Sequence, residues 1–328
     1  MRAFPDRSLL RSVARACSAL IFVSVFAGGL SAAKIEDVTF PTNVVPKTTN
    51  DKPLTVRAKL YLPDKFTAPV SAVIISPSSG GVVDVREIYY AHELVKVGIA
   101  ALVVDSFASR GVKSTVQDQS LVTSWQSTND AVSGLRWLVA DGRFKPDRIA
   151  VMGVSKGGQV AMNTALEVQR RWMKMTDVSF AAHIPIVPAC STVNRSVVTT
   201  GAPLFFMLAE LDDYTPAKYC VEQVERLRSG GNDKIEMKIY KGAHHAWERL
   251  GPKAVFEPKG ENYSPCLNWV EDDGRTVSRS GTTLPRGNEI PWQRKNCMTL
   301  GVHCCGGNEK LKREATSDLI AFLRKHGF

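Results

Sequence analysis

The sequence predicts an α/β protein built on a mainly parallel β-sheet, doubly wound, with helices on both faces. Continuous apolar segments of strand length recur at 71–77, 99–105, 149–155, 180–188 and 203–210, and segments with helical apolar spacing lie between them. This alternation is typical of parallel sheets, whose strands are buried on both faces. Ligands of such sheets bind at the carboxyl ends of the strands, so we expect functional residues in the loops that follow them.

The remaining elements continue the same pattern. Residues 56–63 alternate like a half-buried strand, and 235–242 form the last strand expected in the sheet. We predict helices over 86–97, over 120–140, directly after residue 155, over 217–229 and near 309–326. The last of these carries Ala315, Leu319, Phe322 and Leu323 on one face.

Residues 1–33 are interpreted as a signal peptide. An arginine-bearing stretch precedes a short apolar run, and Ser31, Ala32 and Ala33 offer small residues for cleavage. The apolar run is too short for an ordinary transmembrane helix, although an uncleaved N-terminal anchor is the alternative. Residues 34–328 are predicted to form one periplasmic or secreted domain that has no stable membrane association after signal cleavage.

Residues 250–306 interrupt the alternation of strands and helices. The segment is polar, rich in glycine and proline, and contains four cysteines. Loops this long are uncommon unless they are functional or disordered, and the cysteines favour an ordered, cross-linked insert. Because the insert begins just after His245, it could form one wall of an active site. A surface loop far from the chemistry is the alternative.

Six cysteines lie outside the predicted signal peptide, and an even number in an exported protein suggests disulfides. They are Cys190, Cys220, Cys266, Cys297, Cys304 and Cys305. Cys190 and Cys220 follow consecutive strands and would meet at the carboxyl edge of the sheet, so we expect them to pair. The other four would cross-link the insert, with the adjacent Cys304 and Cys305 reaching different partners.

Composition argues against two other classes of function. The formal net charge is +10, but no cluster of lysine and arginine is interleaved with aromatic residues, so a nucleic-acid partner is not expected. The charge is interpreted as an aid to solubility and an attraction for anions. No C-x-x-C pair occurs, and His303 is the only histidine near the cysteine cluster, so a zinc site is not expected either.

Ser155 is the candidate nucleophile. It lies in Gly153-Val154-Ser155-Lys156-Gly157, a G-x-S-x-G pattern between a predicted buried strand and a helix. This context is that of the α/β-hydrolase fold, in which a tight turn exposes the serine and directs the next amide, here that of Lys156, at the developing oxyanion. The alternative is an ordinary strand-to-helix turn that contains a serine.

Two neighbouring histidines are candidates for the catalytic base, and two neighbouring aspartates are candidates for the acid. His244 and His245 follow the last predicted strand, whereas His183 lies within a strand and His326 in the terminal helix. Asp212 and Asp213 follow the strand at 203–210, where a carboxylate could reach the base and fix its tautomer. The unused aspartate could cap the next helix.

These segments together resemble the dienelactone hydrolase family of α/β hydrolases, over roughly residues 55–250 and the final helix. The D-x-x-x-P acid motif of the family falls on Asp212 and Pro216. Its G-A-x-H-x-F/W base motif falls on 242–247, with His245 as the histidine, and its D-S-F-x-x-R-G segment falls on 105–111. The resemblance therefore implies that Asp212 and His245 complete a triad with Ser155.

Three features depart from the family pattern. The founding enzymes use a cysteine nucleophile, and their His-Gly after the third strand is replaced here by Pro77 and Ser78. The insert at 250–306 has no counterpart in the small cytoplasmic members. The amide of Ser79 could still complete the oxyanion hole, because that task needs an aimed N–H and no particular side chain.

The resemblance implies a hydrolase that cleaves a small-molecule ester or lactone through an acyl-enzyme and uses neither a metal nor an organic cofactor. Arg110, in a loop after a strand, is a candidate for binding a substrate carboxylate, and the alternative is an arginine that ties its own loop. A thioesterase, acyltransferase or peptidase could use the same triad, and an exported binding protein could retain the fold without turnover. The oligomeric state is not predicted.

Overall fold

The computed structural model describes residues 34–42, 54–65, 67–175, 177–249, 254–304 and 306–328. The predicted signal peptide lies outside these residues, so the division into a signal peptide and one domain stays a prediction. The helices are α1 (Tyr89–Lys96), α2 (Ser124–Ala140), α3 (Lys156–Thr164), α4 (Glu167–Trp172), α5 (Ala217–Ser229), α6 (Glu289–Asn296) and α7 (Glu309–Lys325). No helix in the described segments is long and apolar enough to cross a membrane.

Thirteen strands are found in the described part of the chain. They are β1 (Lys34–Pro41), β2 (Thr55–Leu62), β3 (Val70–Ser76), β4 (Ala100–Asp105), β5 (Phe144–Val154), β6 (Ala182–Ile186), β7 (Thr192–Asn194), β8 (Leu204–Ala209), β9 (Ile235–Tyr240), β10 (Val255–Asn262), β11 (Asn268–Val270), β12 (Thr276–Ser278) and β13 (Thr299–Cys304). Eight of them form the central sheet in the order β1-β2-β4-β3-β5-β6-β8-β9.

The central sheet is parallel from β4 to β9 and antiparallel at its other end. β2 pairs antiparallel with both β1 and β4, whereas β3, β5, β6, β8 and β9 follow the direction of β4. Together with the covering helices, this arrangement confirms the predicted α/β-hydrolase fold class. β1 lacks the apolar run that revealed the other strands, because alternate residues face solvent at the sheet edge.

Helices cover both faces of the sheet, which explains the unbroken apolar strands. In β3, Val73 and Ile75 pack in the core shared with α1 and α7, while Ala72 and Ile74 pack in the core shared with α2 and α3. These four side chains are at most 1% exposed. Successive residues of a strand point to opposite faces, so only a sheet covered on both sides buries all of them.

Side-chain caps explain where the two longest helices begin. Thr123 forms a capping box with Gln126, whose backbone N–H donates to Thr123 Oγ1 at 3.3 Å and whose side chain accepts from the Thr123 N–H at 2.9 Å. α2 therefore starts at Ser124, later than the predicted 120. α7 is capped by Asn308, whose Oδ1 accepts from the Leu311 N–H at 2.9 Å.

The described part of the insert, residues 254–304, is ordered, as its cysteines predicted, although its periodicity did not reveal its elements. β10 and β13 form a two-stranded antiparallel sheet, and β11 joins β12 to β7 of the main domain in a three-stranded sheet. Cys266 and Cys297 form a disulfide within the insert. The expectation that Cys304 and Cys305 reach different partners concerns Cys305, which lies outside the described residues.

The predicted pairing of Cys190 with Cys220 is confirmed. The bond joins the segment after β6 to the first turns of α5, and both side chains are buried. The segment between these cysteines includes the loop that carries Asp212 and Asp213. The disulfide therefore restrains that loop from both sides.

We expect peptide mapping under non-reducing conditions to recover two linked pairs, Cys190 with Cys220 and Cys266 with Cys297. Because the first bond closes a loop with a sequence separation of 30, replacing both its cysteines with serine should cost about 3 kcal/mol in the free energy of unfolding. Denaturant unfolding of the double variant measures this cost. Free thiols at 190 and 220 in the native protein would contradict the pairing.

Candidate active site

Ser155 lies on a tight turn between β5 and α3. Its backbone has φ 59° and ψ −114°, in the left-handed half of φ that residues with a side chain rarely adopt. Its N–H donates to the Ile186 carbonyl at 2.9 Å, which ties the turn to β6. The turn presents the side chain at the carboxyl ends of the strands, as expected for the candidate nucleophile.

The glycines around Ser155 are required by close approach of α3 to the sheet. A Cβ atom on Gly157 would lie 2.2 Å from the Ser76 carbonyl oxygen, and one on Gly158 would lie 2.4 Å from the Ile186 carbonyl oxygen. Both distances are far below van der Waals contact and both obstacles are backbone. A Cβ atom on Gly153 would likewise lie 2.5 Å from the Gly157 carbonyl carbon, so both glycines of the G-x-S-x-G pattern are steric requirements of this turn.

His245 and Asp212 form a buried hydrogen-bonded pair. Nδ1 of His245 lies 2.8 Å from Oδ2 of Asp212, and the side chains are 4% and 0% exposed. Asp212 also accepts hydrogen bonds from the N–H groups of Tyr214 and Thr215 at 2.9 and 2.8 Å and from the Thr215 hydroxyl at 2.9 Å. The carboxylate is thus fixed by four hydrogen bonds from three residues.

The electrostatic environment keeps Asp212 ionised. Burial alone would raise the pKa of Asp212, but the facing His245 and the hydrogen bonds outweigh burial and lower the pKa below its ordinary value. A carboxylate held in this state orients the imidazole and stabilises its protonated form.

Asp213 and His244, the sequence neighbours of Asp212 and His245, are placed differently. Asp213 accepts from the His303 N–H at 3.0 Å and lies 2.7 Å from His303 Nδ1, so it binds β13 of the insert. His244 is partly exposed, and its Nδ1 atom is buried without a hydrogen-bond partner. The geometry therefore separates Asp212 and His245 from Asp213 and His244, a choice that the residues alone left open.

Ser79 lies in the loop after β3, beside Ser155. The Glu87 carboxylate holds this loop, because it accepts from the N–H groups of Ser78 and Val83 at 3.1 and 3.0 Å. Arg86 pairs with Glu87 at 2.8 Å and also contacts the Ser78 hydroxyl. The backbone that replaces the His-Gly of the family is therefore rigidly supported.

The side chain of Lys156, whose amide is the predicted oxyanion donor, is buried. Nζ donates to Thr115 Oγ1 at 2.8 Å and to the Val122 carbonyl, and it lies 5.6 Å from the centre of the Phe107 ring. Burial lowers the pKa of Lys156 to about 7, although Glu261 and Asp118 oppose that shift.

A cavity of about 670 Å³ opens between these loops and the insert. It is lined by Ser78, Ser79, Gly80, Val83, Val85, Arg86, Ser114, Val116, Gln117, Ser155, Tyr214, His245, Ala246, Arg249, Glu257, Val302 and Cys304. The cavity thus brings Ser155, His245 and Ser79 together. Glu257, Val302 and Cys304 belong to β10 and β13, so the insert forms one wall of the cavity.

Among the described residues, no group of three or more His, Cys, Asp and Glu side chains is arranged to hold a metal ion.

Comparison with protein families assigns the chain by its sequence. The model of the dienelactone hydrolase family matches residues 56–270, which span β2 to β11 and include Ser155, Asp212 and His245. The chain belongs to the dienelactone hydrolase family. Membership in this family makes the chain a hydrolase of ester bonds. A search of the curated proteins found no match.

Solved structures agree on the fold of this dienelactone hydrolase family member. A putative dienelactone hydrolase from Klebsiella pneumoniae is 17% identical, with a TM-score of 0.50 over 66% of this chain and 88% of that chain. A thermophilic esterase from Thermogutta terrifontis with bound propionate is 14% identical, with a TM-score of 0.50 over 89% and 94%. At these identities the likeness supports the shared fold alone.

Three candidate site residues do not line the cavity, namely Lys156, Arg110 and Asp212, the last of which reaches it through His245. The Arg110 guanidinium pairs with Asp130 at 2.7 and 3.1 Å and donates to the Ser106 carbonyl at 2.6 Å. The Asp130 side chain is fully buried. This geometry matches the alternative of an arginine that ties its own loop, while Arg86 and Arg249 are the arginines that line the cavity.

Sequence reasoning missed several residues that surround the candidate triad. Tyr214 packs its ring 4.8 Å from the His245 ring, and its hydroxyl accepts from Gln119 Nε2 at 2.9 Å. Tyr214 could have been suspected from its place beside Asp212. Gln119 gave no signal, because its contacts join loops that are distant in sequence.

We expect Arg110→Ala to destabilise the fold and to leave ester selectivity unchanged. Removing one partner of a buried ion pair leaves Asp130 uncompensated, which should cost about 3 kcal/mol in the free energy of unfolding. Thermal unfolding and kcat/KM on a neutral and a carboxylate-bearing ester measure the two effects, with Arg249→Ala as the cavity-lining comparison. A selective loss on the carboxylate ester would return Arg110 to the binding site.

Proposed function

We propose that this protein is a serine esterase with Ser155 as nucleophile, His245 as base and Asp212 as acid. The observation that carries the proposal is the convergence of Ser155, on its strained turn, and His245, bound to a buried carboxylate, in one cavity. The order of serine, acid and histidine along the chain is the order of the α/β hydrolases.

The proposed reaction begins with proton transfer from Ser155 to His245. Because Nδ1 of His245 is bound to Asp212, the Nε2 edge of the ring is directed away from the carboxylate and can accept the proton. Ser155 attacks the ester carbonyl, and the protonated His245 then donates the proton to the leaving alkoxide. Water cleaves the acyl-enzyme by the same path in reverse, which regenerates the serine.

The amides of Lys156 and Ser79 are proposed to stabilise the oxyanion. Lys156 is the first residue of α3, so the positive end of the helix dipole adds to its N–H. Ser79 lines the cavity beside Ser155. Donors aimed where charge develops are usually the largest single contribution to acyl-transfer catalysis.

The cavity wall favours a small ester with an apolar part and an anionic or polar part. Val83, Val116 and Val302 supply apolar surface, and the exposed Arg249 supplies positive charge at the rim. Lactones satisfy the same requirements, so a panel of neutral esters, carboxylate esters and lactones is the direct way to find the substrate.

Export to the periplasm or the exterior is part of the proposal. The two disulfides support an oxidising compartment, where such bonds persist. N-terminal sequencing of the protein recovered from its native compartment tests cleavage near residue 33.

We expect Ser155→Ala to abolish labelling by a fluorophosphonate probe and to lower kcat by about three orders of magnitude or more, because the acyl-enzyme cannot form. His245→Ala should be nearly as damaging, whereas His244→Ala, the matched neighbour, should keep most of the activity. Esterase activity of Ser155→Ala above about a tenth of wild type would refute the nucleophile.

Asp212→Asn should lower kcat far more than Asp213→Asn. An amide at 212 cannot hold His245 in the required tautomer, a change that costs about 10⁴-fold in a well-studied triad. At 213 the substitution weakens only the contact with His303. The two variants are compared by kcat on one p-nitrophenyl ester, with circular dichroism as the check on folding. The reverse ranking would move the acid to Asp213.

A further inference from the structure

The loop at 114–119 connects three parts of the candidate site that are distant in sequence. It passes beneath Ser79, reaches Tyr214 beside the base, and lies against β10 of the insert. Gln119 is the residue where these connections meet. Besides accepting from the Thr115 hydroxyl of its own loop at 3.4 Å, Gln119 contacts Ser79 and Tyr214 of the site and the buried Glu261 of the insert.

The first connection runs from Gln119 to the proposed oxyanion donor. The Ser79 hydroxyl donates to Gln119 Oε1 at 3.1 Å. The Ser79 carbonyl accepts from the Thr115 N–H at 2.7 Å and from the Ser114 hydroxyl at 3.2 Å. The side chain and the carbonyl of Ser79 are therefore both held by this loop, which fixes the direction of the adjoining backbone.

The second connection runs from Gln119 to the residue that packs on the base. Nε2 of Gln119 donates to the Tyr214 hydroxyl at 2.9 Å. The Tyr214 ring in turn lies 4.8 Å from the His245 ring. One amide group thus bridges the loop after β3 and the loop after β8.

The third connection anchors Gln119 to the insert. Its backbone N–H donates to Glu261 Oε2 at 2.8 Å, and the Glu261 N–H donates to the Val116 carbonyl at 3.0 Å. Glu261 is 4% exposed, and Arg294 of α6 pairs with its other oxygen at 2.5 Å. The insert therefore fixes the loop through the buried Glu261 carboxylate, which has a partner on each of its two oxygens.

We propose that Gln119 is a positioning residue that aligns the Ser79 amide with the oxyanion, and that Glu261 extends this control to the insert. The inference rests on the proposed function, since it needs Ser79 to act in an oxyanion hole. Gln119 does not line the cavity, so it acts through Ser79 and Tyr214. Loss of alignment by about 1 Å can cost on the order of 10²-fold in rate.

The test is Gln119→Met, which keeps the length of the side chain and removes the hydrogen bonds of its amide group with Ser79 and Tyr214. We expect kcat on a p-nitrophenyl ester to fall about tenfold or more, with KM changed less than about threefold, because oxyanion contacts act in the transition state. Ser120→Ala is the matched control, since the hydroxyl of this exposed neighbour donates to Asp118.

A transition-state analogue separates positioning from a structural effect. The Ki of phenylboronic acid, which forms a tetrahedral adduct with a serine nucleophile, should rise by the same factor as kcat/KM falls. The concentration of active sites is counted by fluorophosphonate titration. A variant with fewer active sites but unchanged kcat per site and unchanged Ki would overturn the proposal.

A double-variant cycle identifies the bond responsible. Ser79→Ala keeps the amide of residue 79 and removes the hydroxyl that Gln119 holds. If Gln119 acts through Ser79, adding Gln119→Met to Ser79→Ala should lower kcat much less than it does in the wild type. Full additivity of the two effects would overturn this route.

The insert is tested by Glu261→Ala, which should lower kcat in the same direction as Gln119→Met and add little to it in the double variant. If Glu261→Ala does not fold, Gln119→Met still decides the proposal. A wild type that hydrolyses no ester and is not labelled by the fluorophosphonate overturns the proposed function, and this inference with it. An active wild type whose Gln119→Met variant keeps its kcat and Ki overturns this inference alone.

Discussion

The tight turn at Ser155 is the constraint on which the arrangement of the site depends. Its positive φ is tolerated because the chain on either side is held by the sheet, through Ser155 N–H to Ile186 and through the contact of Gly157 with Ser76. A methyl group at either glycine of α3 would push the helix away from β3 and β6. The direction of the Ser155 side chain and the direction of the Lys156 amide would then change together.

The other site residues are placed relative to this turn by the carboxyl ends of neighbouring strands. Ser79 follows β3, Asp212 follows β8 and His245 follows β9. Parallel strands end at one edge, so three loops from distant parts of the chain meet there without a dedicated framework. The disulfide between Cys190 and Cys220 braces one of these loops at that edge.

Burial at this edge of the sheet, together with the partners of each group, sets the protonation states of Asp212 and Lys156. The ionised Asp212 is buried, and its four hydrogen bonds replace the hydration that it loses. Lys156 is buried too, but its ammonium donates to the neutral oxygens of Thr115 and Val122. Burial therefore lowers the pKa of Lys156, whereas the pKa of Asp212 stays below its ordinary value. Burial thus brings Lys156 close to neutrality, whereas His245 and the hydrogen bonds keep Asp212 charged against the effect of burial.

Local pattern was enough to predict the parallel strands of the central sheet, five of the seven helices described and the motif residues, but α4 and α6 were missed. Ser155, Asp212 and His245 each lie in a short segment whose residues are needed for a local turn, so each could be recognised without the fold. Contacts between distant segments left no such trace. Asp130, the partner of Arg110, is on α2, and the distant partners of Gln119 are on two loops and on β10, so neither set could be deduced from spacing. β1 and the short strands of the insert were missed because their burial depends on neighbours elsewhere in the chain.

The insert illustrates how an addition to a conserved domain becomes part of its site. β11 pairs with β7, and the Trp269 ring is surrounded by Arg195, Arg226 and Arg279 at 4.5, 4.5 and 4.6 Å from its centre. Arg279 belongs to the insert, whereas the contacts of Arg195 and Arg226, each worth about 0.5–1 kcal/mol, hold one end of the insert on the main domain.

The other end of the insert, at β10 and β13, reaches the catalytic loops. There the insert binds Asp213 through His303 and Gln119 through Glu261. A segment fixed at both ends and cross-linked by Cys266 and Cys297 loses little further entropy when it contributes side chains to the cavity. Glu257 and Val302 can therefore serve as a preorganised wall, and the substrates that distinguish this protein from the small family members are expected to be those that contact it.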